Sequence, residues 1–212
     1  MLAQPLSRPV TLALDEPLAH DLLRRGLMTY LRNQPRARIN LVQAACGAAP
    51  PVGADIRVVL CEAEPPQDDL LTVRRLGRLR FAPFTARRHH TRAPQPLPLE
   101  ECLLVQYRPF NGLASFEQWN ALVRQRTVGV LELDTSDLLR DCLIWSAAVG
   151  LLPHYSHRLD RSLLPLDTLL DDFPSLDAWL LVRRDISGRV EVSAVVNMLV
   201  QAFADRREWL MD

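Results

Sequence analysis

Four consecutive polar residues, Asp134, Thr135, Ser136 and Asp137, are the strongest candidates for binding chemistry in this sequence. They follow an apolar, β-branched stretch at residues 128–133 and precede an apolar run that indicates a helix. Backbone N–H groups in the first turn of a helix bind anions, so the amides around Thr135 and Ser136 could hold a carboxylate. The same amides are used when such residues only cap the helix. The pattern leaves both interpretations open.

The residues after this polar turn predict a strand–helix–strand unit. The helix is predicted to continue through Ala148, with a glycine turn at Gly150 and an apolar run that Pro153 ends. In sheets built from such units, ligands bind at the carboxyl ends of strands and on helix N-termini. The unit therefore predicts that the polar turn faces a ligand site.

The rest of the chain alternates strands with helices, which indicates an α/β protein in two lobes. Strands are predicted at residues 9–14, 39–43, 56–60, 71–84, 102–106, 128–133 and 178–183. Further helices are predicted to begin near residues 15, 116 and 189, and the first of them is predicted to end before Pro35. Residues 44–53 are predicted to form a loop with at most one turn, because they contain two glycines and a double proline. The long strand at 71–84 can run from one lobe to the other.

Composition excludes several functions. The 25 basic and 25 acidic side chains leave a formal net charge of zero, which argues against nucleic-acid binding by this chain alone. The chain has no lysine, so Schiff-base and P-loop chemistry that needs lysine is excluded. The 4 cysteines form no CxxC pair, which favours buried free thiols over a redox pair. With neither an export signal nor a membrane-spanning run, the protein is expected to be cytoplasmic.

Enzymatic and metal chemistry find little support in the sequence. Histidines that could suggest a metal site are His89, His90, His154 and His157. They lack nearby cysteine or acidic partners, so no metal site is predicted. No GxSxG elbow or glycine-rich phosphate loop is present, so we predict no catalytic residues, no cofactor and no enzyme activity. The tryptophans at positions 119, 145 and 179 lie in apolar stripes and are expected in the core.

Over nearly its whole length the sequence resembles the effector-binding (substrate-binding) domain of LysR-type transcriptional regulators, which has the type 2 periplasmic-binding-protein fold. The segments that carry the resemblance are RPVTLALDEPLAHDLL, ADIRVVL, VRRLGRLRFAPFTARRH, LDTSDLLRDCLIWSAAVGLLPHY and AWLLVRRD. The resemblance implies two Rossmann-like lobes joined by two crossover strands, near residues 80–82 and 180–183. Residues 1–81 with 183–212 would form lobe I, and residues 82–182 would form lobe II.

The same resemblance implies a regulatory function. A small-molecule effector would bind in the cleft between the lobes, and dimer packing would pass the signal to a DNA-binding domain. The winged helix-turn-helix that binds DNA in the family does not occur in this chain, and we expect that it has been excised. A homodimer is expected, with the helix near Leu18 against the partner's helix near Leu138, and a tetramer in the full-length protein. The alternative is a solute-binding protein of a transport system with the same fold.

On this template seven residues line the cleft: Asp15, Glu16, Thr85, Tyr107, Arg108, Thr135 and Ser136. Arg108 could pair with a carboxylate through two hydrogen bonds or remain a solvated surface charge, and Tyr107 could stack on the effector or donate to it. Two departures from the family stand out. The region at 44–53 is shorter than its usual helix, and Asp15-Glu16 replaces small polar residues. The negative edge favours an amine or an amino-acid-like zwitterion as effector.

Overall fold

The computed structural model describes residues 8–18, 23–47, 53–62, 64–65, 67–91, 98–127 and 129–211. The strands within these residues are β1 (Val10–Asp15), β2 (Ile39–Ala44), β3 (Ile56–Cys61), β4 (Leu71–Ala86), β5 (Leu103–Tyr107), β6 (Val130–Leu133), β7 (Ala148–Pro153), β8 (Leu163–Pro165) and β9 (Ser175–Arg183). The helices are α1 (Glu16–Leu18), α2 (Arg24–Asn33), α3 (Arg87–His90), α4 (Glu117–Arg124), α5 (Ser136–Trp145), α6 (Ser156–Leu159), α7 (Val190–Ala204) and α8 (Arg207–Met211). This mixed α/β content confirms the predicted class.

The strands form one path of hydrogen-bonded neighbours with two parts. The first sheet has the order β2-β1-β3-β9-β4, in which β1 pairs in parallel with β2 and β3, and β9 is antiparallel to both β3 and β4. The second sheet continues as β4-β7-β5-β6, with β5 parallel to β6 and β7, while β8 pairs with β4 outside this path. Each part thus contains parallel strands whose carboxyl ends lie along one edge.

Strand β4 belongs to both sheets, as the long arginine-rich segment predicts. Its pairing with β9 ends at Arg80↔Ser175, and its pairing with β7 begins at Phe81↔Pro153. The crossing therefore lies within the predicted residues 80–82. On the return, β9 pairs with the first sheet from Ser175 onward, so this pairing begins earlier than the predicted crossing at 180–183. The lobe boundaries themselves stay a prediction.

The core follows from the apolar patterns of the sequence. Alternate residues of β3 are buried, whereas all of β7 is buried because both of its faces are covered. In α7 the buried residues repeat at helical spacing and are Val192, Val195, Leu199, Ala202 and Phe203. One hydrophobic cluster runs through both sheets. Packing of this kind holds the strand ends that form the site described below.

Two details of the central strand–helix–strand unit differ from the prediction. Helix α5 ends at Trp145 instead of Ala148, because Ala148 already pairs with Leu103 in the second sheet. Gly150 lies inside β7 and forms no turn. A Cβ on Gly150 would lie 2.7 Å from Cδ1 of Leu139 and 2.9 Å from the carbonyl oxygen of Val105. Glycine is needed here because α5 packs directly on the backbone of β7.

The prediction of a buried Trp145 is wrong, since its exposed fraction is 73%. The Arg88 guanidinium packs over its ring, 5.4 Å from the ring centroid. Trp119, in contrast, is buried in the core as predicted. The predicted loop at 44–53 is described at its two ends only, and residues 48–52 lie outside the described residues.

Candidate functional site

The candidate site is a cleft between the two sheets, where the carboxyl ends of β1 and β3 face the end of β5 and the start of α5. Glu16 follows β1 directly and reaches across this cleft. One of its carboxylate oxygens accepts a hydrogen bond from the Ser136 backbone N–H at 2.9 Å. That amide belongs to the first residue of α5, where helix N–H groups have no partner within the helix. The first sheet therefore supplies a carboxylate to a helix N-terminus of the second.

Tyr107 completes the polar contact around Glu16. Its hydroxyl accepts a hydrogen bond from the Cys46 backbone N–H at 3.3 Å and donates to the Glu16 carboxylate at 3.2 Å. The residue is 1% exposed, and burial raises the pKa of its phenol. Because the hydroxyl keeps its proton and already accepts from Cys46, its proton is directed toward Glu16. Tyr107 is thus a fixed donor at the end of β5.

A second carboxylate crosses the cleft nearby. Glu62 follows β3 directly and accepts hydrogen bonds from the Ser115 N–H at 2.5 Å, the Ser115 hydroxyl at 2.6 Å and the Ala114 N–H at 3.1 Å. Partial burial acts to raise the pKa of Glu62, but these hydrogen bonds outweigh it and hold that pKa below its usual value. The contact lies at the 3-10 turn Ala114–Phe116, just before α4. Each of the two neighbouring strands therefore sends one glutamate to the second sheet.

Thr135 and Ser136 form the start of α5, as predicted. Thr135 has the extended backbone of an N-cap residue (φ −122°, ψ 136°), but its side chain makes no capping hydrogen bond. Its hydroxyl oxygen is buried and has no hydrogen-bond partner among the described residues. The interpretation that both residues only cap the helix is therefore incomplete. The Ser136 amide contacts Glu16 across the cleft, whereas the Thr135 hydroxyl makes no hydrogen bond to the described residues.

Beside the Glu16–Ser136 contact lies a small cavity of about 20 Å³. One water molecule needs about 10–15 Å³ of such volume, so the space admits a water and no larger ligand. The residues that line it are mostly apolar: Pro17, Phe81, Tyr107, Phe110, Ser136, Asp137, Leu139, Arg140, Leu151, Leu152 and Pro153. The cleft is closed in this structure, and a ligand of metabolite size requires its two sides to separate.

Arg140 provides a buried cation in this lining. It is 9% exposed and lies 3.5 Å from the carboxylate of Asp160. Desolvation acts to raise the pKa of Asp160, but hydrogen bonds from Ser162 and the charge of Arg140 outweigh it and hold that pKa below its usual value. This partly buried ion pair holds the guanidinium beside Asp160. It brings positive charge to the side of the cavity that α5 forms.

Asp15 is near the cleft but is occupied by the main chain of its own sheet. Its carboxylate accepts a hydrogen bond from the Leu60 N–H at 2.8 Å and another from the Gly47 amide. The residue is 5% exposed, and burial raises its pKa to about 7, against the opposing effect of these hydrogen bonds. Asp15 therefore connects the loop after β2 to the end of β3 and does not line the cavity.

Comparison of the sequence with protein-family models places this chain in a known family. The LysR substrate binding domain model matches residues 3–204. The chain belongs to the LysR substrate-binding domain family. A search of curated proteins finds none that matches.

Solved structures of several regulatory domains share the fold of this LysR substrate-binding domain. The effector binding domain of AmpR from Citrobacter freundii has 12% sequence identity and a TM-score of 0.68, covering 94% of this chain and 100% of that chain. The regulatory domain of AphB from Vibrio vulnificus has 15% identity and a TM-score of 0.64, covering 92% and 99%. Full-length LysG from Corynebacterium glutamicum with bound effector Arg has 13% identity and a TM-score of 0.65, covering 93% and 69%. These matches confirm the fold that the sequence resemblance implies.

Three of the seven predicted residues lie apart from the Glu16–Tyr107–Ser136 contact: Asp15, described above, Arg108 and Thr85. Arg108 contacts the carboxylate of Asp134, and both side chains are more than half exposed, at 51% and 66%. Its role as an effector contact stays a prediction. Thr85 is buried in β4 opposite Leu164, four positions beyond the cavity-lining Phe81. The structure thus brings together Glu16, Tyr107, Thr135 and Ser136 from the predicted set.

The sequence interpretation missed a buried polar network that supports Tyr107. Gln106 accepts a hydrogen bond from the Trp119 indole N–H at 2.5 Å, and its amide donates to Asn120 at 2.9 Å and to Asn111. Asn120 in turn donates to the Phe110 carbonyl at 3.0 Å. The network ties β5 to α4 and to the Arg108–Phe110 turn. The signal was a polar Gln106 inside an apolar strand, next to a helix whose Trp119 needs an acceptor.

Two findings concern other classes of function. Among the described residues, no group of three or more histidine, cysteine, aspartate or glutamate side chains is placed to hold a metal ion. Within the same residues, no helix combines the length and the hydrophobicity needed to cross a membrane.

Proposed function

We propose that this chain is the ligand-sensing domain of a LysR-type transcriptional regulator, which binds a small-molecule effector in the cleft between its two sheets. Membership of the family and the similarity to solved regulatory domains support this function. A regulator that acts through a DNA-binding domain works in the cytoplasm, which is the location we propose. The alternative of a solute-binding protein is not favoured, because the matching family model is the LysR one.

The observation that carries the proposal is the set of donors at the cleft. The Ser136 amide, the buried Tyr107 hydroxyl and the partnerless Thr135 hydroxyl come from adjacent ends of α5 and β5. Arg140 adds positive charge on the next turn of the same helix. Donors that converge beside an apolar lining favour recognition of an acceptor group on a small, partly apolar molecule. An amino-acid-like zwitterion or an amine is the effector class that the sequence predicts.

Exposed apolar side chains support a homodimer. On α5, Leu138 and Trp145 are 53% and 73% exposed, and on α2 Met28 is 55% exposed. Leu138 and Trp145 are seven positions apart, so they lie on the same face of the helix. A pair of such faces, α2 of one protomer against α5 of its partner, would bury them. In the full-length protein this dimer would form part of a tetramer, with DNA bound through the N-terminal domain.

The experiment that tests this function is a ligand screen with a cleft variant as control. Thermal unfolding with amino acids, aromatic acids and amines should find compounds that raise the midpoint of the wild-type domain, because a ligand that binds only the folded state stabilises it. The same compounds should lose their effect in Tyr107→Phe, which removes the buried donor. Calorimetry that gives the same affinity for both proteins would place the ligand outside this cleft.

A further inference from the structure

Two carboxylates of the protein itself fill two helical N-termini across the cleft. Glu16 contacts the start of α5, and Glu62 contacts the turn before α4. Both glutamates directly follow parallel strands of the first sheet, and both accept from backbone N–H groups across the cleft, at the start of α5 and in the 3-10 turn before α4. The two contacts therefore join the two sides of the cleft.

The two contacts differ in their surroundings. Glu16 is half-buried, and besides the Ser136 amide it meets a tyrosine hydroxyl that is 1% exposed and held by the Cys46 amide. Glu62 is exposed, and it accepts hydrogen bonds from the Ser115 N–H, the Ser115 hydroxyl and the Ala114 N–H. A fixed, desolvated donor beside a helix amide is an anion site with defined geometry. That description applies to the position of the Glu16 carboxylate.

We propose that Glu16 occupies the position of the effector's carboxylate and thereby determines the effector class. The inference rests on the proposed function, because it names the chemistry of the same site. An effector that carries its own carboxylate on an apolar body displaces Glu16 from Ser136 and Tyr107 and places that body among the apolar residues of the cavity lining. An α-ammonium group on such an effector would then pair with the displaced Glu16. The effector class is therefore a carboxylic acid or an amino acid, and a simple amine is excluded.

The remaining volume agrees with displacement. A cavity of about 20 Å³ leaves no room for a carboxylate in addition to that of Glu16. Two carboxylates at one amide would also repel each other at close range. Binding of an acidic effector and the Glu16–Ser136 contact are thus mutually exclusive. Glu16 competes with the effector as a tethered group, which lowers the apparent affinity for any effector.

Acetate is the probe that tests this displacement without knowledge of the effector. In Glu16→Ala the carboxylate is removed, so acetate should bind there and raise the unfolding midpoint relative to chloride of equal ionic strength. We expect an affinity for acetate at least about tenfold higher than in the wild type, where the site is filled. Acetamide should have no effect in either protein. Glu16→Gln is the matched control, because its side chain fills the same volume.

Three further results decide the inference. Ser136→Pro added to Glu16→Ala removes the amide donor and should abolish the acetate effect. Persistence of the acetate effect in this double variant would overturn the proposal. Equal acetate responses in wild type and Glu16→Ala would overturn it as well. The same comparison with Glu16→Ser serves if Glu16→Ala does not fold. A carboxylic acid without an ammonium group that the ligand screen finds should bind Glu16→Ala more tightly than wild type. A simple amine that binds the wild type and loses affinity in Glu16→Ala would overturn the inference. A screen that finds no effector would count against the proposed function, while the acetate result would still decide the role of Glu16.

Discussion

The Glu16 carboxylate lies 2.9 Å from the Ser136 backbone nitrogen, although the two residues are 120 positions apart in the sequence. Ser136 is the first residue of α5, and the cap residue before it has an extended backbone. Proline is tolerated at the first position of a helix and requires such a backbone in the preceding residue. The donor can therefore be deleted by substitution without breaking the helix.

Ser136→Pro should reduce the free energy of unfolding by about 1–2 kcal/mol, because the half-buried Glu16 carboxylate loses its amide donor. Ser136→Ala keeps the amide and should change stability by less than about 0.5 kcal/mol. Urea unfolding of the two variants measures the difference. Small-angle scattering should also give a larger radius of gyration for the proline variant, as the cleft opens. Equal stability of the two variants would show that the amide contact does not hold the cleft.

Asp15 predicts a specific pH dependence of stability. Burial favours the protonated form of Asp15 and raises its pKa from the usual 3.8 to about 7 in the folded domain. Because the folded domain favours protonated Asp15, this residue contributes its full stabilisation below pH 3.8. The contribution is lost progressively as the pH rises to about 7. Over that range the loss is about 1.4 kcal/mol per pH unit, and above it the contribution is constant.

Asp15→Asn removes this titration and keeps an oxygen that can accept from the Leu60 N–H. The stability of the variant relative to wild type should therefore rise between pH 5 and about 7 and then level off. Asp69→Asn, at an exposed carboxylate, is the control and should give a curve parallel to wild type. Urea unfolding at several pH values measures these differences. Parallel curves for Asp15→Asn and wild type would show that Asp15 is ionised in the folded domain throughout.

Gly150→Ala should destabilise the domain by about 1–3 kcal/mol, because its Cβ would lie 2.7 Å from the Leu139 side chain and 2.9 Å from a backbone oxygen. Gly112 is the matched control, since a Cβ there meets nothing within 4 Å. Chemical unfolding of Gly112→Ala should give the wild-type midpoint. A Gly150→Ala variant as stable as Gly112→Ala would mean that α5 can move away from β7 at little cost.

Much of the fold was predictable because apolar periodicity determines local structure. The strands at 56–60 and 71–84 and the helix after Gly188 appear close to their predicted positions. Gly150 was misjudged for a physical reason: a glycine in a turn and a glycine under a packed helix have the same local sequence signal. Trp145 was misjudged because an apolar stripe on a helix does not reveal whether the same chain or a partner covers it.

The candidate site was only partly predictable. The polar turn at the start of α5 could be found from its residue types, and the family resemblance added Glu16 and Tyr107. The contact of Glu16 with the Ser136 amide depends on how two sheets meet, which no local pattern encodes. For the same reason, the pairing of Arg108 with Asp134 on the surface could not be foreseen. Residue types located Ser136, and the family resemblance added Tyr107. Only the three-dimensional structure revealed that the Glu16 carboxylate already occupies these two donors.

Trp145→Ala should weaken the proposed homodimer. Its side chain is 73% exposed on α5, and large aromatic side chains at the centre of interfaces contribute most to association, so we expect the dimer dissociation constant to rise by about tenfold or more. Leu70→Ala is the control, because Leu70 is also 73% exposed but lies just before β4, on neither helix of the proposed interface. Light scattering across a dilution series measures both variants. A wild-type domain that is monomeric throughout the series would contradict the dimer, and equal dissociation constants for the two variants would place the interface elsewhere on the surface.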